Sequence, residues 1–199
     1  MSNQQQADKK RSEYLRLGDL AFQKAEKINS EVFSLLYGSL VAQLVKDLEH
    51  ADIINERLEK IGYNIGIRLV DEFLAKSGIS NCETFRDTAE VVACVGLKMF
   101  LGITAETKEW NNQETSCILS LSENPLIDFV ELPPCYNSCL YYSNIICGVI
   151  RGALEQLQMQ VTCYFKKDVL RGDNNTEIFL ELKERLHEEF IDDEAESSD

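Results

Sequence analysis

Seven cysteines and two histidines are the residues of this 199-residue chain best suited to covalent or metal chemistry. Cys135, Cys139 and Cys147 lie close in sequence, but their spacing lacks a C-x-x-C knuckle and only His50 and His187 exist to complete a ligand set. Core or surface thiols are the better reading, and no metal is expected. A cysteine nucleophile needs a base, and no pattern ties either histidine to Cys82 in the loop Gly78-Ile79-Ser80-Asn81-Cys82-Glu83, which argues against a thioesterase or acyltransferase. Neither a GxxxxGK[ST] loop nor a GxGxxG fingerprint is present, so nucleotide binding by this chain alone is unsupported. By residue type alone Cys82 is an ordinary loop thiol.

The elements that must position these residues follow from hydrophobic spacing. Phe33, Leu36, Leu40, Leu44 and Leu48 recur at helical steps behind an Asn29 cap, predicting an amphipathic helix over Asn29 to Glu49. A second helix is predicted from Asp52 to Lys76, with Ile54, Leu58, Ile61, Ile65, Leu69 and Phe73 in one stripe and Gly78 as the stop. Gly62 and Gly66, one turn apart inside it, each cost about 1 kcal/mol relative to alanine, and so point to close approach of another element. Phe85 to Leu101 reads as a third helix ending at Gly102, with Gly96 on one side. Alternation in Thr115 to Ser122, a turn at Glu123-Asn124-Pro125 and renewed apolar residues from Leu126 to Leu132 predict a hairpin. Ile146, Ile150, Ala153, Leu157, Val161 and Tyr164 predict a long fourth helix over Ser138 to Leu170, stopped by Gly172, and Thr176 to Leu182 reads as a third strand.

Residues 1–26 are polar and read as a flexible arm, with Leu15, Leu17, Leu20 and Phe22 able to form a short docking helix. Residues 27–190 form the domain, and 191–199 are an acidic tail. The formal net charge of −14 disfavours binding to nucleic acid or to anionic lipid by the surface as a whole. No apolar leader precedes the arm, so a cytosolic chain with reduced thiols is expected. The sequon Asn174-Asn175-Thr176 has no use in that compartment.

The segments KINSEVFSLLYGSLVAQL, GYNIGIRLVDEFLAKS, NPLIDFVELP, YSNIICGVIRGALE and LRGDNNTEI, in this order, closely resemble the subunit 3 family of the transport protein particle, TRAPP. The resemblance covers about Lys27 to Leu182. It implies an α+β fold of four main helices packed on a small antiparallel sheet, with an internal apolar tunnel for an acyl chain. It also implies a non-catalytic subunit of a vesicle-tethering complex in endoplasmic-reticulum-to-Golgi transport, cytoplasmic and peripheral at the cis-Golgi and endoplasmic reticulum. The family carries a palmitoyl thioester on the cysteine that matches Cys82, and Gly96 matches a small residue lining the tunnel. Family members usually place an arginine before that cysteine, whereas this chain has Asn81, so a cation that would lower the thiol pKa is missing at that position. Read without the family, Gly96 serves equally well as a helix-packing glycine.

Implied partners are a second copy or a homologous small subunit, and a Rab-type GTPase met through the assembled complex. The wide apolar stripes of the first two helices exceed what one small sheet can cover, which independently favours dimerisation. The family's C-terminus reaches toward the GTPase nucleotide site, so Ile191-Asp192-Asp193-Glu194-Ala195-Glu196 is either a means of lowering nucleotide affinity or a solvated tail. The alternative function, from a different class, is a fatty-acid-binding module in which lipid exchanges freely.

Overall fold

The computed structural model describes residues 3–79 and 82–186. Among the described residues, six α-helices and a four-stranded sheet build the α+β fold in chain order. They are α1 (Asn3–Lys24), α2 (Ser30–Asp47), α3 (Ala51–Ser77), a rod made of α4 (Phe85–Val91), a π turn (Val92–Gly96) and α5 (Leu97–Leu101), strands β1 (Ala105–Lys108) and β2 (Ser116–Leu121), α6 (Ile145–Gln156), and strands β3 (Met159–Lys167) and β4 (Glu177–Arg185). The sheet is antiparallel in the order β1-β2-β4-β3. Alternate residues on its inner face, Cys117, Leu180 and Cys163 in one row and Leu119, Ile178 and Phe165 in the next, are buried.

Helix α6 is the central element, packed between that sheet face and α3. Two pairs of glycines bring the helices together. A Cβ on Gly62 or Gly66 would stand 2.1 or 2.2 Å from the Ile145 or Val149 carbonyl oxygen, and one on Gly148 or Gly152 would meet the Glu59 or Tyr63 carbonyl as closely. Only hydrogen fits between two backbones at that separation. The pairing advances together along both chains, so α3 and α6 run parallel. Asn55 locks the start of this contact, donating to the Cys139 carbonyl at 2.8 Å and accepting from the Tyr141 N–H at 2.9 Å.

The expected ends hold where capping chemistry is local. Asn29 accepts from the Val32 N–H at 3.1 Å, and Gly78 and Gly102 end α3 and α5 in the left-handed conformation. Four expectations are corrected. Residues 3–24 are one helix docked on the α4–α5 rod, with Ala21 buried and Gly18 against the Cys94 carbonyl, instead of an arm. The long fourth helix stops at Gln156. Gln158 takes a positive φ of 60° and reverses the chain into β3, where Met159, Val161, Cys163 and Phe165 are buried at period two. Val161 satisfies both the helical and the strand period, which is why the longer helix looked continuous. Leu126 to Leu132 is no strand: Asn124 caps a short 3-10 turn at Pro125–Ile127, and β2 pairs instead with β1 and β4. On α2, the core-facing residues are Ser34, Tyr37 and Val41, while Leu36 and Leu40 of the expected stripe face outward. The tail 191–199, and residues 187–190 of the expected domain, lie outside the described residues.

Candidate functional site

An apolar cavity of about 470 Å³ lies between α3 and the α4–α5 rod, floored by α6. Its volume falls within the range, about 300–1,000 Å³, of pockets that enclose a small ligand. Cys82 and Gly96 both line it. Because α3 and α6 are parallel, Phe73 and Leu154 mark the end nearest Cys82, and Tyr37 and Ile146 mark the far end, where α2 closes the wall.

In the segment between α3 and α4, Cys82 is half-buried and lines the cavity wall. At its start the Ser77 hydroxyl accepts from the Ile79 N–H at 3.1 Å, and at its end Thr84 caps α4 by accepting from the Asp87 N–H at 3.1 Å. Burial pushes the Cys82 thiol above the ordinary thiol range and Asp87 adds to the rise, opposed by the Thr88 hydroxyl and more weakly by Lys10. Buried Cys94 and Cys117 are pushed further, to about 12, chiefly by desolvation, so both are inert thiols at neutral pH. All seven cysteines are free; Cys135 is exposed and Cys147 is fully buried. No group of three or more metal-binding side chains gathers among the described residues.

Gly96 closes the π turn, in which the Leu97 N–H reaches back to the Val92 carbonyl. A Cβ at Gly96 would have the Val91 carbonyl oxygen as its nearest neighbour, at 3.9 Å, so the position opens onto the cavity instead of packing against a helix. That separates Gly96 physically from Gly62 and Gly66. Sequence reasoning missed Lys10, Asp87 and Thr88 beside the cysteine. The Thr84-x-x-Asp87 spacing is a helix-start signal that could have drawn notice to Asp87, but nothing local shows that α1 folds back upon α4. The cavity is apolar and has a thiol in its wall, and an alkyl chain is chemically compatible with such a lining.

A family model described as transport protein particle (TRAPP) component matches residues 33–181. The chain belongs to the TRAPP component family. Among relatives, it is 56% identical over 173 residues to trafficking protein particle complex subunit 3 of Dictyostelium discoideum, covering 87% of this chain and 93% of that one. It is 46% identical over 167 residues to the trafficking protein particle complex subunit BET3 of Saccharomyces cerevisiae, covering 83% and 86%. A crystal structure of trafficking protein particle complex subunit 3 from Naegleria fowleri, covalently bound to palmitic acid, superposes with a TM-score of 0.79 at 54% identity, covering 82% of this chain and all of that one. The TRAPP family thus accounts for the α+β fold, and among the described residues no helix is long and apolar enough to cross a membrane.

Proposed function

We propose that this chain is a core, non-catalytic subunit of a TRAPP vesicle-tethering complex in endoplasmic-reticulum-to-Golgi transport, and that it carries palmitate on Cys82 with the acyl chain held inside the cavity past Gly96. The observation that carries the reading is the coincidence of Cys82 with the wall of a 470 Å³ apolar cavity, in a family whose Naegleria member is bound covalently to palmitic acid. A sixteen-carbon chain sequestered there contributes on the order of 10 kcal/mol of burial before entropy costs, so it acts as core and not as a membrane anchor. Membrane association, peripheral at the cis-Golgi and endoplasmic reticulum, then comes through the assembled complex.

Assembly through α2 is part of the same reading. Val32 and Leu36 are 63% and 69% exposed, and Phe33, Leu35 and Leu40 extend the patch. A second copy or a homologous small subunit covers it. The complex acts on a Rab-type GTPase, to which the acidic tail of residues 191–199 is the contribution of this chain. Affinity purification of the full chain from its own cell recovers homologous small subunits, and truncation after Phe190 slows GTPase nucleotide release by the reconstituted complex while leaving assembly intact. Recovery of the chain alone would count against the subunit reading, and unchanged release would remove the tail from it.

A further inference from the structure

Helix α1 lies along the outside of the rod that walls the cavity, and none of its residues lines the space within. Lys10 pairs with Asp87, Nζ to Oδ1 at 2.6 Å, and the Arg11 guanidinium donates to Glu90 at 2.5 Å and to the Ala105 carbonyl at 2.9 Å. Further on, a Cβ on Gly18 would stand 2.2 Å from the Cys94 carbonyl oxygen, Asp19 is 3.6 Å from the Lys98 ammonium, and a Cβ on Gly102 would meet the Phe22 ring at 3.5 Å. These contacts advance together along both chains, so α1 and the rod run parallel. The same helix also packs against α3, so it bridges the two walls of the cavity.

The π turn Val92–Gly96 is where this outer contact meets the inner space. Its Cys94 carbonyl abuts Gly18, whereas Val92 and Gly96 line the cavity, so one turn of backbone separates α1 from the acyl site. Single π turns inside helices are frequent at functional sites. The hold is light on burial. Among the described side chains of α1 only Gly18 and Ala21 are buried, neither larger than a methyl group, and the paired Lys10 and Asp19 side chains are 48% and 63% exposed. Residues 26–29, which lead on to α2, are exposed. An element held by few buried apolar contacts opens locally at a small fraction of the global unfolding free energy.

We propose that α1 is a latch on the acyl cavity: docked, it ties the rod to α3 and keeps the Cys82 thioester covered, and lifted, it frees the rod to move and opens the cavity to solvent. The inference rests on Cys82 being the residue that is acylated, and it names the element that governs access to that site.

The test follows two rates in full-chain wild type, Arg11→Gln and Gly18→Leu. The first is alkylation of Cys94 by N-ethylmaleimide, read by peptide mass; Cys94 is wholly buried, with its sulfur 3.7 Å from the Glu90 oxygen that holds Arg11, so it reports undocking of α1. The second is acyl loss to neutral hydroxylamine, which converts the thioester to an acyl hydroxamate and a free Cys82 thiol, read by intact mass. Removing the charged hydrogen bonds of Arg11 raises the open population, so both rates rise together by about tenfold, while Cys147, buried on α6, stays unreactive. Either rate rising without the other, no change in both variants, or Cys147 reacting alongside Cys94 overturns the latch; should Gly18→Leu not fold, Arg11→Gln decides. Absence of an acyl adduct from untreated wild type would remove the reading beneath it instead. The latch is then judged by uptake of the apolar dye anilinonaphthalene sulfonate, which is faster in the variants if α1 gates the cavity and unchanged if it does not.

Discussion

Gly96→Leu stabilises the deacylated protein and leaves the acylated protein without that gain. The backbone at Gly96 has φ −63° and ψ −55°, an ordinary helical conformation open to any L-residue. Its side chain would grow past the Val91 carbonyl oxygen, 3.9 Å from the Cβ position, into the 470 Å³ space. In the deacylated protein, leucine removes the helical glycine penalty of about 1 kcal/mol and buries four carbons at about 0.8 kcal/mol each, a net gain of about 3 kcal/mol after about 0.5–1 kcal/mol of side-chain ordering. In the acylated protein the same four carbons displace about four methylenes of the acyl chain, and the loss of about 3 kcal/mol of acyl burial cancels that gain. Each kcal/mol moves the melting temperature of a domain this size by about 2–4 °C, so the two forms diverge measurably. Thermal unfolding of hydroxylamine-treated and untreated protein, with acyl occupancy read by intact mass, makes the comparison. Equal occupancy and unchanged melting in both forms would show that the acyl chain does not lie past Gly96.

Gly62→Ala destabilises the fold by about 1–3 kcal/mol or more in urea unfolding, because its Cβ would stand 2.1 Å from the Ile145 carbonyl oxygen and overpacking exceeds the helix gain of about 1 kcal/mol. Leu36→Glu abolishes self-association or pairing with a homologous subunit in sedimentation at micromolar concentration, while monomer stability stays within about 0.5 kcal/mol, since Leu36 is exposed and touches no core. Buried Glu177 is held down to about 2, chiefly by the hydrogen bond from Lys108, with Asn175 and Lys167 adding to it. Its folded value lies below the unfolded one, so its contribution is fully present above about pH 4.5 and is lost as pH falls toward 2. Glu177→Gln is therefore destabilised relative to wild type at pH 7, and unfolding measured from pH 7 to 3 shows that gap narrowing.

Local chemistry was legible in the sequence, and long-range packing was not. Asn29, Gly78 and Gly102 ended helices where a cap or a left-handed residue was required, and Gly62 and Gly66 announced a close backbone contact without naming α6 as the partner. β1 carries Ala-Glu-Thr-Lys, with no apolar alternation, and exists because β2 supplies its hydrogen bonds. The turn at Gln158 needs a positive φ in a residue that seldom adopts it, so no composition cue separated α6 from β3. Within the candidate site, Cys82 and Gly96 stood out through resemblance, and the cavity gives each a physical setting: a thiol in the wall and a Cβ position with open space before it. Lys10 and Asp87 are 77 positions apart, and only the docking of α1 brings them together.

Intact-mass spectrometry of the purified full chain beside Cys82→Ser tests the central claim most directly. The wild type is expected to carry the added mass of one palmitoyl group, removable by neutral hydroxylamine, and Cys82→Ser to carry none. An adduct that persists in Cys82→Ser, or free fatty acid that enters and leaves that variant reversibly, would contradict a covalent acyl core and favour an exchangeable lipid carrier.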